Sequence, residues 1–139
     1  MAAARDPSAV LAIVPSDHHI TDEVQFASLL REALKSAESG SITTIGIEPS
    51  RPETGYGYIE VGSPVEARTC RVARFVEKPD RAKAQEYLLS GNYLWNSGMF
   101  FFRADVMLDA IKQHLPELHE GLQKIAAAAA QGRAQGEAR

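Results

Sequence analysis

Val10-Leu11-Ala12-Ile13-Val14-Pro15-Ser16-Asp17 decides how the rest of the chain is read. Five apolar residues in a row, closed by a proline, fit a strand covered on both faces, as in a central parallel sheet. Ser16, Asp17, His18 and His19 then lie just past the strand's carboxyl end, where open α/β sheets bind ligands. Thr21 or Asp22 can cap a helix expected over 23–39, by accepting one of its unpaired N–H groups. Phe26, Leu29, Leu30, Ala33, Leu34 and Ala37 recur at helical spacing and define the face it buries. Gly40 is a natural stop. Residues 42–47 read as the next strand. Strand, helix and strand over this length predict a βαβ unit, right-handed and parallel.

Beyond it, residues 48–57 form a Pro- and Gly-rich loop. Tyr56, Tyr58, Ile59 and Val61 predict extended chain, as do residues 72–76. Too few residues separate these two for a crossover helix, so they predict an antiparallel insertion at the sheet edge. A second helix is expected from Asp80 to about residue 90, with Ala84, Tyr87 and Leu88 inward and Gly91-Asn92 ending it. Residues 93–95 and 99–102 are strand-like pieces separated by Asn96-Ser97-Gly98. A helix over 105–114 follows, with Val106, Leu108 and Ile111 as core positions. Pro116 interrupts it, and Leu118, Leu122 and Ile125 continue the spacing. The fold class expected is α/β, with a mixed, mainly parallel sheet, flanking helices and an antiparallel edge insertion.

The 139 residues suit one domain, and a hydrophobic content of 45% supports a core. The net charge of -3 gives no argument for nucleic acid, whose phosphates need a basic surface. Cys70 is the single cysteine, so no internal disulfide can form, and it reads as a buried or unremarkable thiol. No apolar run reaches the length of a membrane span. No membrane partner is expected, and the expected location is cytoplasmic.

Four polar or glycine-marked stations interrupt the apolar pattern. Asp17 is placed to hold a magnesium ion among phosphates, since that ion takes oxygen ligands and often only one or two protein carboxylates; it equally suits a turn. His18 and His19 lack the spacing of a zinc site. Gly55 and Gly57 allow a ligand to lie against the backbone, or simply make a tight turn. Glu77 can accept from sugar hydroxyls, and Lys78 can meet a phosphate. Strand alternation would aim those two neighbours at opposite faces, and a solvated strand end is the plainer account. Asn96 can both donate to and accept from a hydroxyl. Trp95, Phe100, Phe101 and Phe102 read as core.

Val14-Pro15-Ser16-Asp17-His18-His19-Ile20, Pro52-Glu53-Thr54-Gly55-Tyr56-Gly57-Tyr58-Ile59, Phe75-Val76-Glu77-Lys78-Pro79-Asp80 and the run from Tyr93 to Ala104 occur in this order. Together they resemble the bacterial mannose-1-phosphate guanylyltransferases, including those fused to a phosphomannose isomerase. The resemblance implies a partial Rossmann-like nucleotidyltransferase domain over 1–125, followed by a flexible tail over 126–139. It implies attack of mannose 1-phosphate on GTP to give GDP-mannose and pyrophosphate, with Mg2+ as cofactor, in the supply of sugar nucleotide for polysaccharide biosynthesis. Asp17 matches the family's metal-linked catalytic aspartate, with Ser16 where alanine is usual. Gly57 matches the glycine beside the sugar, Glu77 and Asn96 match sugar contacts, and Lys78 matches a catalytic, phosphate-contacting lysine. Residues 1–7 do not match the family's glycine-rich loop ending in Arg-Leu-Trp-Pro. The chain is therefore expected to carry mainly the sugar-phosphate half of the site. The alternative is a noncatalytic sugar-phosphate-binding or interaction module of the same fold, open to self-association.

Overall fold

The computed structural model describes residues 6–66 and 68–136. Their elements run β1 (Val10–Ile13), α1 (Glu23–Glu38), β2 (Thr43–Ile47), β3 (Tyr58–Glu66), β4 (Thr69–Val76), α2 (Arg81–Ser90), β5 (Tyr93–Arg103), α3 (Ala104–His114) and α4 (Pro116–Gly136). Local chemistry accounts for the helix ends. Asp22 and Asp80 each accept a hydrogen bond from a backbone N–H of the first turn, of Gln25 at 2.8 Å and Lys83 at 2.9 Å. Gly91 ends α2 in the left-handed conformation, with φ 68°.

The strands form one five-stranded sheet, and every pairing among the described residues is antiparallel. This corrects the mainly parallel, Rossmann-like sheet expected from the sequence. The cause is β5. Phe101 is partnered by Ala12 of β1 and by Thr43 of β2, so those strands take opposite edges of β5. Both run antiparallel to β5 and therefore point the same way, as a βαβ pattern requires, but β5 lies between them. At its other end Trp95 is partnered by Ile47 of β2 and by Tyr58 of β3. Thus β3 shares the β1 edge of β5, and its hairpin with β4 extends the sheet outward. That hairpin is the antiparallel insertion the short connection required. Its tip reaches α1 through ion pairs of Arg68 with Glu32 and of Lys35 with Glu66.

Asn96-Ser97-Gly98 does not split β5 in two. The strand continues through it, with a register shift opposite residues 44–46 of β2. Gly98 adopts φ 74°, which a residue without Cβ takes with little strain.

Alternate residues Tyr93, Trp95, Ser97, Met99 and Phe101 of β5 are buried. They serve two apolar clusters. Tyr93 and Trp95 pack with Tyr58 and with Ala84 and Tyr87 of α2, where Tyr87 and Tyr93 stack with centroids 4.0 Å apart. Met99 and Phe101 pack with Ala33 and Ala37 of α1, flanked by Val10, Phe26, Leu30, Leu34 and Ile45. Farther out the sequence pattern weakens. Leu108, Leu118 and Ile125 are exposed, and α4 packs against α3 rather than the sheet. The helix α4 crosses the position at which a tail was expected to begin. Cys70 is exposed. Among the described residues, no helix is long and apolar enough to cross a membrane.

Phe101 is fully buried at the junction of β1, β2 and α1. Truncation of such a side chain removes its transfer energy and leaves a cavity. Phe101→Ala is therefore expected to lower the unfolding free energy by about 3–5 kcal/mol in a denaturant titration; a loss below about 1 kcal/mol would contradict this packing.

Candidate sugar-phosphate site

Four of the five candidate residues meet where β3, β4 and β5 converge. The carbonyl of Gly57 accepts the backbone N–H of Asn96 at 2.8 Å. A Cβ on Gly57 would stand 3.1 Å from Glu77 Oε2 and 3.2 Å from the Phe75 ring. Gly57 thus keeps open the space beside the Glu77 carboxylate, and any larger residue would press on it.

Glu77 and Lys78 escape the alternation expected of strand neighbours. Strand β4 ends at Val76, and Lys78 takes a left-handed conformation with φ 42°. The turn brings Lys78 Nζ to 3.5 Å from Glu77 Oε1, with both side chains largely exposed. A non-glycine residue there costs roughly 1–2 kcal/mol of backbone strain. The strained turn therefore sets an acid and a base on one side of the strand end, where an exposed cation can meet an anionic group.

Asp17 lies on the exposed segment after β1. That segment approaches β5 through Pro15, whose Cγ is 3.6 Å from the Cβ position of Gly98. Asp17 itself has no side-chain partner among the described residues. No group of three or more His, Cys, Asp or Glu side chains there could hold a metal ion. One exposed carboxylate fits a magnesium ion that takes its remaining ligands from phosphates and water; it does not form a protein cage.

Sequence reasoning overlooked three parts of this region. Glu53 Oε1 accepts from the backbone N–H groups of Thr54 and Gly55 at 3.0 and 3.1 Å, and Oε2 accepts from Arg51 Nε at 3.2 Å. The Glu53 carbonyl accepts from the Tyr58 hydroxyl at 2.8 Å. One residue therefore shapes the loop leading into Gly57. Arg51 also lies over the Trp95 ring, 5.5 Å from its centroid, while Tyr56 meets the same ring edge-on at 5.3 Å. Trp95 is buried as expected of core, yet its Nε1 is buried without a hydrogen-bond partner among the described residues. Thr44, from β2, reaches Asn96 with its hydroxyl at 3.1 Å. The Pro-Glu-Thr-Gly run could have signalled the Glu53 turn; nothing local to Thr44 signals a contact so far along the chain.

An open cleft of about 630 Å3 lies beside this arrangement, between α1, β2 and the β3–β4 hairpin. Thr44, Ile59 and Leu94 line it, but Asp17, Gly57, Glu77, Lys78 and Asn96 do not.

A family model for nucleotidyl transferases matches residues 1–137. The chain belongs to the nucleotidyl transferase family. Within that family it is similar to the xanthan biosynthesis protein XanB of Xanthomonas campestris pv. campestris (strain B100). The two are 49% identical over 115 residues, which cover 83% of this chain and 24% of that protein. It is 42% identical over 123 residues to the mannose-1-phosphate guanylyltransferase of Escherichia coli (strain K12), covering 86% of this chain and 26% of that enzyme. The chain thus spans about a quarter of the length of these curated relatives. Its fold matches the crystal structure of mannose-1-phosphate geranyltransferase from Thermus thermophilus. The TM-score is 0.81 at 39% identity, over 90% of this chain and 37% of that one. The antiparallel sheet described above is therefore part of a nucleotidyl transferase fold.

The loop and the turn can each be tested. The Gly55 N–H above all, then the Arg51 guanidinium, hold the Glu53 carboxyl below the usual glutamate range. With the folded pKa depressed, its contribution to loop order is present above the ordinary glutamate pKa and lost as pH falls through the lowered one. A carboxyl NMR titration should place the Glu53 midpoint below that of a free glutamate, and an ordinary midpoint would refute the loop geometry. Lys78→Gly should relieve the left-handed strain and leave the protein as stable or more stable, by up to about 1 kcal/mol. A clear destabilisation in the same denaturant assay would mean that the turn is not strained.

Proposed function

We propose that this chain carries the sugar-phosphate side of a mannose-1-phosphate guanylyltransferase site, in which mannose 1-phosphate and GTP yield GDP-mannose and pyrophosphate. The observation that carries the reading is the meeting of Gly57, Glu77 and Asn96. The Gly57 carbonyl pairs with the backbone N–H of Asn96, and the missing Cβ of Gly57 leaves the Glu77 carboxylate open beside it. The Glu77 carboxylate and the Asn96 side-chain amide suit the vicinal hydroxyls of a hexose, which both donate and accept. The similarity to mannose-1-phosphate guanylyltransferases supports mannose 1-phosphate as the sugar.

In this reading Glu77 accepts from the sugar hydroxyls and Asn96 donates to them. Gly57 lets the ring approach the backbone, and Lys78 turns its charge to the phosphate. Asp17 would hold magnesium, which when bound would neutralise phosphate charge. The sugar phosphate is itself the nucleophile, so the protein needs no nucleophilic side chain. Its work is to fix the attacking oxygen and compensate charge. GTP and GDP-mannose are the other ligands of this proposed reaction, and provision of sugar nucleotide for polysaccharide biosynthesis is its proposed use.

The noncatalytic interaction module remains the second reading, favoured by one feature. Among the described residues β1 pairs only with β5, and beside its outer edge Ile13 and Val14 are 53% and 51% exposed. An open apolar edge is a docking surface for another strand. Turnover by this chain would argue against that reading; saturable sugar-phosphate binding without turnover would favour it.

Glu77→Gln retains the shape of the side chain but removes its charge. It should weaken mannose 1-phosphate binding about tenfold, as expected for losing a charge-assisted hydrogen bond, with the thermal midpoint unchanged. Unchanged affinity in a calorimetric titration would remove Glu77 from the site.

A further inference from the structure

We infer that Thr44 is a positioning residue for Asn96, holding its side-chain amide in the orientation that presents the NH2 group to a ligand. The inference rests on the sugar-phosphate reading above and deepens it. The Thr44 hydroxyl lies 2.8 Å from the carbonyl of Met99 and 3.1 Å from Asn96 Oδ1. The backbone N–H of Gly98 lies 3.3 Å from the same Oδ1.

The Gly98 contact chooses between the two orientations of the amide, and the Thr44 hydroxyl holds the one chosen. A backbone N–H can only donate, so the Gly98 N–H needs an oxygen opposite it. A flipped amide would set its NH2 group against that donor. Oδ1 therefore points inward, and the single hydrogen of the Thr44 hydroxyl is shared between Oδ1 and the Met99 carbonyl. The Asn96 NH2 group has no protein acceptor among the described residues. Both of its hydrogens are left for ligand oxygens, as a hexose hydroxyl provides.

The register of the sheet makes this possible. Thr44 is partnered by Phe100, and Gly46 by Asn96, with the extra residues of β5 between them. The shift folds Asn96 and Met99 toward one hydroxyl, and the left-handed Gly98 supplies the second hold on Oδ1. Thr44 touches the amide and need not touch the sugar, so it acts through Asn96.

The test compares the wild-type chain with Thr44→Val, Thr44→Ser and Asn96→Ala. Nitrogen relaxation of the Asn96 side-chain amide is measured without ligand, and each chain is then titrated with mannose 1-phosphate. The expected result is an ordered amide in the wild type and in Thr44→Ser, with an order parameter near ~0.8, falling below ~0.6 in Thr44→Val. Thr44→Ala replaces Thr44→Val if that chain does not fold. An amide as ordered without the hydroxyl as with it overturns the inference, and so does disorder in Thr44→Ser. In the titration Thr44→Val should bind about fivefold more weakly, with Thr44→Ser near wild type. Weak binding by Asn96→Ala alongside unchanged binding by Thr44→Val also overturns it. Unchanged binding by Asn96→Ala instead overturns the sugar-site reading, while the relaxation result still decides the role of Thr44.

Discussion

The pairing of β5 on both of its edges is the constraint on which the rest of the structure depends. Its backbone holds β1 and β3 on one side and β2 on the other. Its alternate side chains enter both apolar clusters, so α1 and α2 are packed against the same strand. The same strand, Tyr93–Arg103, also carries Asn96 and Gly98. Core and candidate site are therefore built on one segment, and the register that buries Phe101 also sets Asn96 beside Thr44 and Gly57.

The site itself is held by irregularities in that strand and beside it. Gly57 leaves room beside Glu77, Lys78 accepts a left-handed backbone, and Gly98 turns its N–H toward Asn96. Lys78 and Gly98 depart from strand geometry where a ligand group has been proposed or is held. Strain retained at such positions is consistent with function, since a site that must present charges together cannot follow strand alternation. The apolar faces under α1 and α2 supply the rigidity that lets these departures persist.

Local features were legible in the sequence because local chemistry decides them. Thr21 or Asp22 was readable as a cap, Asp80 as the start of a helix, Gly91 as a helix stop, and the short connection between β3 and β4 as an antiparallel hairpin. How the other strands pair was not legible. The continuous apolar run from Val10 predicted a strand covered on both faces within a parallel sheet, yet Ala12 and Ile13 are exposed and the strand lies at the edge of the sheet. No residue near β1 or β2 records that a strand formed much later in the chain lies between them. Asn96-Ser97-Gly98 looked like a break for a related reason, since a bulge is defined by the partner strand. The same holds for Thr44, whose role depends on a partner 52 residues away. The turn at Lys78 was concealed because alternation forbids what a single left-handed residue permits.

The most direct test is a backbone amide map of the wild-type chain titrated with mannose 1-phosphate. The account predicts saturable shifts centred on Gly57, Glu77, Lys78 and Asn96, while Val61 and Val72, which also line the neighbouring cleft, stay in place. Shifts centred on that cleft, or none at any concentration, would contradict it.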